Sequence, residues 1–234
     1  MKLLAMDTST ERMRLALQVQ DQVWTHDGVG GQASSASLIP ATMALMAQAG
    51  LTLPQLDAIA FGQGPGAFTG LRTACAVSQG LALGAKLPLL PIDTLMCVAE
   101  AACPQGPRVM SVMDARMGQV YAAAYAWEGQ AWRVVQAPML TTAAALAWPL
   151  AWHGQSFVMA GNAAPAHAAG LQHLLDAGAQ AVSQWPTATA MLRLAALAWQ
   201  RGEAVSPELA HPVYVRDQVA LTTAERAALK AASA

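Results

Sequence analysis

A glycine-rich loop at residues 62–72 joins a short apolar run to a helical pattern, and it restricts the possible folds more than any other feature. The run at residues 56–61 is typical of a buried strand, and residues 69–85 follow a helical pattern. Another strand is predicted at residues 89–92. Because strand, helix and strand alternate here, the sequence predicts an α/β layer architecture.

The residues before this unit predict an antiparallel meander. Apolar or alternating runs at residues 2–6, 13–19 and 23–27 are separated by polar turns, as expected for three short strands. A helical pattern at residues 35–50 then leads to the glycine-rich loop, and Asp93 or Thr94 is predicted to cap a further helix. A meander followed by alternating strands and helices indicates a mixed sheet covered by helices.

A second unit is predicted after the turn-forming residues 104–107, which mark a boundary in the chain. Strands are predicted at 109–113, 120–126, 132–135 and 157–160, and helices at 141–146, 163–174 and 187–200. The order resembles that of the first unit and suggests an internal duplication, although no residue-level repeat is found. We therefore predict two subdomains, residues 1–105 and 106–234.

Few residues of this chain are charged. Of the 234 residues 12% are charged and 55% are hydrophobic, whereas about 25% are charged in an average globular protein. This composition predicts that another chain covers part of the surface. The net charge of −1 disfavours autonomous binding of nucleic acid, which needs cations to neutralise phosphates.

Neither a leader nor a membrane span is predicted. The apolar residues before Asp7 are too few for a signal peptide, and the apolar run at residues 143–152 is about half the length of a spanning helix. We expect a cytosolic protein. Cys75, Cys97 and Cys103 have no C-x-x-C spacing and are predicted to be reduced, buried thiols.

The glycine-rich loop is the first candidate site. Gly62, Gly64 and Ala67 fit the spacing G-x-G-x-x-(G/A), and the start of the next helix would suit a phosphate. However, Pro65 removes a backbone donor, and Lys86 stands about where a dinucleotide site carries an acid. Both a phosphate site and a tight turn for close backbone packing stay open.

A second candidate is the polar cluster that ends the first strand, Asp7, Thr8, Ser9 and Thr10. A carboxylate followed by hydroxyls at a strand tip could hold hydrated Mg²⁺ or a phosphate. The same residue types also form turns by bonding to their own backbone. The sequence leaves these two interpretations open.

Other motifs predict structure rather than chemistry. Ser78 imitates a nucleophile elbow but lies in a helical pattern, so we interpret it as a small packing residue. Asp114 and Arg116 lie between two predicted strands, where a turn ion pair is favoured over a catalytic dyad. The five histidines have no metal-ligand spacing; they are His26, His153, His167, His173 and His211.

Two helices without charge predict an interface. Residues 35–50 carry no charged side chain, and residues 73–85 carry none either. Such helices lie either inside a thick domain or against a partner, and the low overall charge favours the partner. The predicted interface residues are Leu38, Ile39, Met43, Met46, Ala76, Gly80, Leu83 and Gly84.

Five motifs belong together: residues 4–10, 62–72, 78–82, 114–116 with Val120 and Tyr121, and 212–216. Together they resemble the TsaB family, also called YeaZ. The resemblance spans nearly the whole chain. It implies an actin-like ATPase-type fold (ASKHA, ribonuclease H-like) with two subdomains, each a mixed sheet with flanking helices. It also implies a cytosolic subunit of the bacterial machinery that makes N6-threonylcarbamoyladenosine beside the anticodon of tRNAs.

The resemblance further implies a subunit without catalysis of its own. The catalytic relative of that family, TsaD, holds a metal with an H-x-x-x-H pair, and Thr94 and Val98 stand at the comparable positions here. The implied partners are TsaD and the nucleotide-hydrolysing subunit TsaE, with a homodimer when the chain is alone and tRNA bound only through the complex.

No cofactor or metal is implied. The residues of the nucleotide-like loop, interpreted as degenerate, are Asp7, Thr8, Ser9, Gly62, Gly64, Pro65, Gly66, Thr69, Gly70 and Arg72. The alternative hypothesis is an enzyme acting alone, either an ATPase that uses Asp7 and the glycine loop or a hydrolase of the glycoprotease group.

Overall fold

The computed structural model describes residues 1–216, and this part of the chain forms ten β-strands and five α-helices. The first elements are β1 (Lys2–Asp7), β2 (Arg12–Val19), β3 (Gln22–Val29), α1 (Ser34–Gln48), β4 (Ala58–Gly64), α2 (Phe68–Ala85), β5 (Leu89–Asp93) and α3 (Thr94–Ala102). The later elements are β6 (Arg108–Asp114), β7 (Gln119–Trp127), β8 (Trp132–Thr142), β9 (Phe157–Gly161), α4 (Ala164–Asp176), β10 (Ala179–Ser183) and α5 (Ala188–Gln200). Short 3-10 helices include Ala143–Ala145 and Pro207–Leu209.

The strands form two sheets with the same topology. The first has the order β3-β2-β1-β4-β5 and the second the order β10-β9-β6-β7-β8. In each, three antiparallel strands form a meander, and two further strands are added parallel to the first strand of that meander. The predicted mixed sheets are confirmed, and the internal duplication is confirmed at the level of strand order.

Two helices cross between the sheets. α3 follows β5 of the first sheet but also packs on β6, β7 and β9 of the second. α5 follows β10 of the second sheet but packs on β1, β2, β4 and β5 of the first. One hydrophobic core therefore contains side chains from both sheets and both helices, so the two sheets are joined through buried apolar contacts rather than by a linker.

A buried carboxylate fixes this crossing. Glu100 of α3 is 3% exposed; its Oε1 accepts a hydrogen bond from Nε of Arg193 at 2.6 Å, and its Oε2 accepts one from Nε1 of Trp132 at 2.7 Å. Because removing one partner of a buried ion pair is strongly destabilising, the triad ties α3, α5 and β8 together. The boundary predicted at residues 105 and 106 stays a prediction, and α5 lies on the first sheet.

Most predicted elements agree with the structure, including the Asp93 cap, whose carboxylate accepts from the N–H groups of Leu95 and Met96. The helix predicted at residues 141–146 is wrong. β8 continues to Thr142 because Thr141 and Thr142 pair with β7, and only a 3-10 turn follows. Strand β10 was not predicted, since its residues are mostly exposed and show no alternation of apolar side chains. Residues 217–234 of the predicted second subdomain lie outside the described residues.

Candidate functional site

The two candidate sites of the sequence form one structure at the carboxyl edge of the first sheet. β1 and β4 are parallel neighbours, so the turn after β1 and the loop after β4 emerge side by side. The hydroxyl of Thr8 donates to the carbonyl of Gly70 at 2.6 Å, and the N–H of Ala67 donates to the carbonyl of Ser9 at 2.8 Å. The Thr8 hydroxyl and the Ser9 carbonyl of this turn therefore bind the backbone of the glycine loop and hold it in place.

The glycines at 62 and 70 are required by this close packing. A Cβ at position 70 would overlap the carbonyl oxygen of Thr8, and a Cβ at position 62 would overlap the carboxylate of Asp7. The tight-turn interpretation of the loop is thus supported by contacts within the chain itself. Of the other predicted loop residues, Gly64 and Pro65 are buried, Gly66 is half-buried, and Thr69 and Arg72 are exposed.

Asp7 is fully buried beneath this loop. Its Oδ1 accepts hydrogen bonds from the N–H of Ser9 at 2.9 Å and from its hydroxyl at 2.7 Å. Its Oδ2 has no hydrogen-bond partner and faces Gly62. Burial raises the pKa of Asp7 above its ordinary value, although the Ser9 bonds and the charge of Arg14 act to lower it. Ionising this carboxyl therefore costs stability in the folded protein.

We expect Asp7→Asn to stabilise the isolated chain at neutral pH. Asparagine keeps the oxygen that Ser9 binds and removes the buried charge, so the melting temperature should rise at pH values where Asp7 is ionised. Because the folded pKa of Asp7 is raised, its penalty is absent below the ordinary pKa of about 3.9 and fully present above the raised value. The gain in melting temperature should therefore be larger at pH 8 than at pH 4.

Thermal unfolding of the two proteins at both pH values measures this difference. Asp7→Ala is the control, since it removes both Ser9 bonds and should lower stability. A lower melting temperature for Asp7→Asn at pH 8 would show that the ionised carboxylate stabilises the fold.

A second buried polar group lies where β5 meets α3. Oδ2 of Asp93 accepts a hydrogen bond from the hydroxyl of Tyr125 at 2.7 Å, and burial raises the pKa of both groups. The thiol of Cys97 donates to the carbonyl of Thr187 at 3.2 Å, and burial raises its pKa well above that of a free thiol. Buried thiols with a raised pKa are poor nucleophiles, and the burial predicted for Cys97 is confirmed.

The burial predicted for the other two cysteines and Ser78 is largely confirmed. All three cysteines are free, with Cys75 buried and Cys103 only partly buried. Ser78 is fully buried inside α2, which confirms its interpretation as a packing residue. Thr94 and Val98, the two positions compared with a metal-binding pair, are both buried in α3.

The turn between β6 and β7 carries the predicted ion pair and one residue that was missed. Arg116 Nη1 lies 3.6 Å from Asp114 Oδ2, and Nε2 of His167 lies 3.0 Å from Asp114 Oδ1. Partial burial acts to raise the pKa of Asp114, but the bonds from His167 and from the Arg116 N–H lower it overall. His167 stands 53 residues away on α4, so no local spacing could reveal it. Within residues 1–216, no group of three or more His, Cys, Asp or Glu side chains could hold a metal ion.

A cavity of about 390 Å³ lies between this turn and the glycine loop. One wall contains Ser9, Thr10 and Phe68, and the opposite wall contains Asp114 and Tyr121. Residues 213–216 form part of its rim. The carboxylate of Asp7 is not in the lining.

The predicted interface helices are exposed on one side only. Leu38 and Met46 are 0% and 1% exposed, so assigning these two to an interface was wrong: they lie in the core between α1 and the first sheet. Met43 and Met46 therefore do not share an outer face. The outward residues are Ile39, Met43 and Leu83, which are 46%, 47% and 53% exposed, with Ala76, Gly80 and Gly84 also exposed.

Two glycines on this outer face are not required by close packing within the described part of the chain. There, a Cβ at Gly80 or Gly84 would meet nothing within 4 Å, and both lie inside the 18-residue helix α2. Glycine in a helix interior is less stable than alanine by about 0.5–1 kcal/mol. We call the set Ile39, Met43, Ala76, Gly80, Leu83 and Gly84 the α1–α2 face.

Comparison with known proteins gives two findings on the family. A family model described as "TsaD: tRNA N6-adenosine threonylcarbamoyltransferase" matches residues 15–230. The chain is also 32% identical over 235 residues to the tRNA threonylcarbamoyladenosine biosynthesis protein TsaB of Escherichia coli, covering 94% of this chain and 96% of the relative. The chain belongs to the TsaB family.

Solved structures similar to this chain belong to the same family as its sequence relatives. The solved structure of YeaZ from Pseudomonas aeruginosa is 33% identical, with a TM-score of 0.77 over 91% of this chain and 99% of that one. The actin-like α/β fold expected of TsaB proteins is thus confirmed. A tRNA N6-adenosine threonylcarbamoyltransferase of Chromobacterium violaceum is 36% identical over 93 residues, which is 37% of this chain and 27% of that protein.

Among the described residues, no helix has the length and apolar character required to cross a membrane.

Proposed function

We propose that this chain is the non-catalytic dimerisation subunit of a complex that transfers a threonylcarbamoyl group to N6 of the adenosine beside the anticodon. Its role there is to bind and activate a catalytic subunit of the TsaD type. The TsaB relative that supports this is a tRNA threonylcarbamoyladenosine biosynthesis protein and matches along almost its whole length.

The observation that carries the partner role is the α1–α2 face. Exposed apolar side chains lie on both helices, at Ile39 and Met43 of α1 and at Leu83 of α2. The same helix α2 carries Gly80 and Gly84, where an added Cβ would meet nothing within 4 Å among residues 1–216. Neighbouring helices can approach closely where a helix lacks side chains, and flexible methionines adapt to such a contact. The same face would pair two copies of the chain when the catalytic subunit is absent.

Two features favour a scaffold over an enzyme acting alone. The carboxylate of Asp7, which an ATPase mechanism would use, is covered by Gly62 and does not line the cavity. Ser78 of α2, whose sequence context is similar to that of a nucleophilic serine, is fully buried. Neither group can reach a substrate in this structure, because both are removed from solvent.

The remaining parts of the proposal concern partners and location. With a net charge of −1, the chain offers no cation excess for tRNA, which we assign to the assembled complex. TsaE is proposed as the nucleotide-hydrolysing third subunit, and the site of action is the cytoplasm.

Titration calorimetry with a TsaD-type subunit tests the proposed role. We expect a saturable 1:1 heat with a Kd of about 1 μM or tighter, equivalent to about −8 kcal/mol. Titration of the chain alone with ATP and Mg²⁺ is the matched control and should give no saturable heat. Saturable ATP binding without binding of the subunit would contradict the proposal and favour the ATPase.

A further inference from the structure

The chain between α5 and residue 216 runs along the first sheet and then across the cleft. Val205 pairs with Leu89 at the edge of β5. Nε2 of Gln79 on α2 then donates to the carbonyls of Pro207 and Ala210, at 2.9 and 3.0 Å. These bonds hold the segment on α2 up to Ala210, which is fully buried.

Residues 211–216, which we call the strap, continue over the glycine loop. The N–H of Val213 donates to the carbonyl of Gln63 at 2.7 Å. The ring of Tyr214 packs on Phe68 with centroids 5.1 Å apart, and its hydroxyl accepts a hydrogen bond from Nε of Arg72 at 3.0 Å. The Arg72 guanidinium also lies 3.8 Å from the centre of the Phe68 ring.

The far end of the strap is attached to the opposite wall. Nη2 of Arg216 donates to the carbonyl of Ala115 at 2.8 Å, and Nη1 lies 3.4 Å from the sulfur of Met117. Ala115 and Met117 belong to the turn between β6 and β7 in the second sheet. The strap therefore contacts the first subdomain through Tyr214 and the second through Arg216.

The strap lies at the cavity, between the glycine loop and the turn between β6 and β7. Elsewhere in the molecule, α3 and α5 join the sheets through one shared core and the Glu100 triad. The cavity of about 390 Å³ separates the walls at the strap side. Buried apolar contacts resist opening more strongly than a few exposed hydrogen bonds do.

We propose that residues 211–216 act as a strap that ties the two walls of the cavity together, and that release of this strap opens the cavity while the core stays intact. Its near attachment consists of Tyr214 and the backbone bond of Val213 to Gln63, and its far attachment is Arg216. Loss of either attachment frees both walls, because each wall is held by the same short segment.

Hydrogen exchange of the full chain tests the strap through its effect at a distance. Tyr214→Ala removes contacts with the near wall only, yet we expect roughly five- to tenfold faster exchange in the far turn, residues 113–119. Arg216→Ala removes the far attachment and should speed exchange in residues 66–71 by a similar factor. Amides of β1 and β4 should exchange as in wild type.

Leu209→Ala is the matched control, since Leu209 lies in the same C-terminal stretch, is 70% exposed and does not line the cavity. It should leave both walls unchanged. Faster exchange confined to the wall that lost its contact would overturn the strap and leave two local packing contacts. An equal acceleration of all amides, β1 and β4 included, would also overturn it, since the segment would then stabilise the whole fold.

Discussion

Gly80→Arg is expected to weaken binding of a TsaD-type subunit by about a hundredfold or more, equivalent to about 2.7 kcal/mol. In the isolated chain the arginine should extend into open space, because no atom of residues 1–216 lies within 4 Å of a Cβ at this position. In the proposed complex it would place a charge without a partner inside a helix contact, which costs several kcal/mol. Circular dichroism should show an unchanged fold, and calorimetry should show the loss of affinity.

Two control variants test whether the loss of affinity comes from the position of the arginine or from a general effect of the substitution. Ala168→Arg introduces the same side chain at an exposed position of α4, a helix that packs beside the second sheet, and should bind as wild type does. Gly80→Ala should raise the free energy of unfolding by about 0.5–1 kcal/mol, since it removes the helix penalty of glycine. Wild-type affinity in a folded Gly80→Arg variant would show that the partner binds elsewhere.

The alternation of strands and helices could be predicted because it depends on local patterns. Buried strands such as β4 are continuous apolar runs, and Asp93 caps the following helix through bonds to residues two and three positions on. The edge strand β10 carries no such pattern, because it is largely exposed and exists through its backbone pairing with β9.

The orientation of α1 was the main error within the candidate interface. An uncharged helix without a polar face does not reveal which side faces the sheet. The structure buries Leu38 and Met46 against the first sheet and leaves Ile39 and Met43 outside. The absence of charge predicted an additional partner but could not distinguish the two sides.

Contacts between residues that are distant in the chain could not be predicted from local sequence patterns. His167 meets Asp114 across 53 residues, and Arg216 meets Ala115 across 101. The same holds for Glu100 and Arg193, which are 93 residues apart. Each depends on the tertiary arrangement of elements that are distant in the chain, and a single sequence has no local signal for that arrangement.

An omission assay for threonylcarbamoyladenosine tests most directly the claim that this chain is an activating subunit without turnover of its own. Reactions contain unmodified tRNA, ATP, Mg²⁺ and a threonylcarbamoyl donor, and the modified nucleoside is quantified by mass spectrometry. We expect product when this chain, a TsaD-type subunit and TsaE are all present. Omission of this chain should reduce the rate by about a hundredfold, equivalent to about 2.7 kcal/mol.

The chain alone, given tRNA with threonine, bicarbonate and ATP or with the donor, should make no product. Gly80→Arg in place of wild type should behave like omission at subunit concentrations below its weakened Kd and recover activity above it. Product formed by the purified chain alone, or an unchanged rate when the chain is left out, would contradict the account.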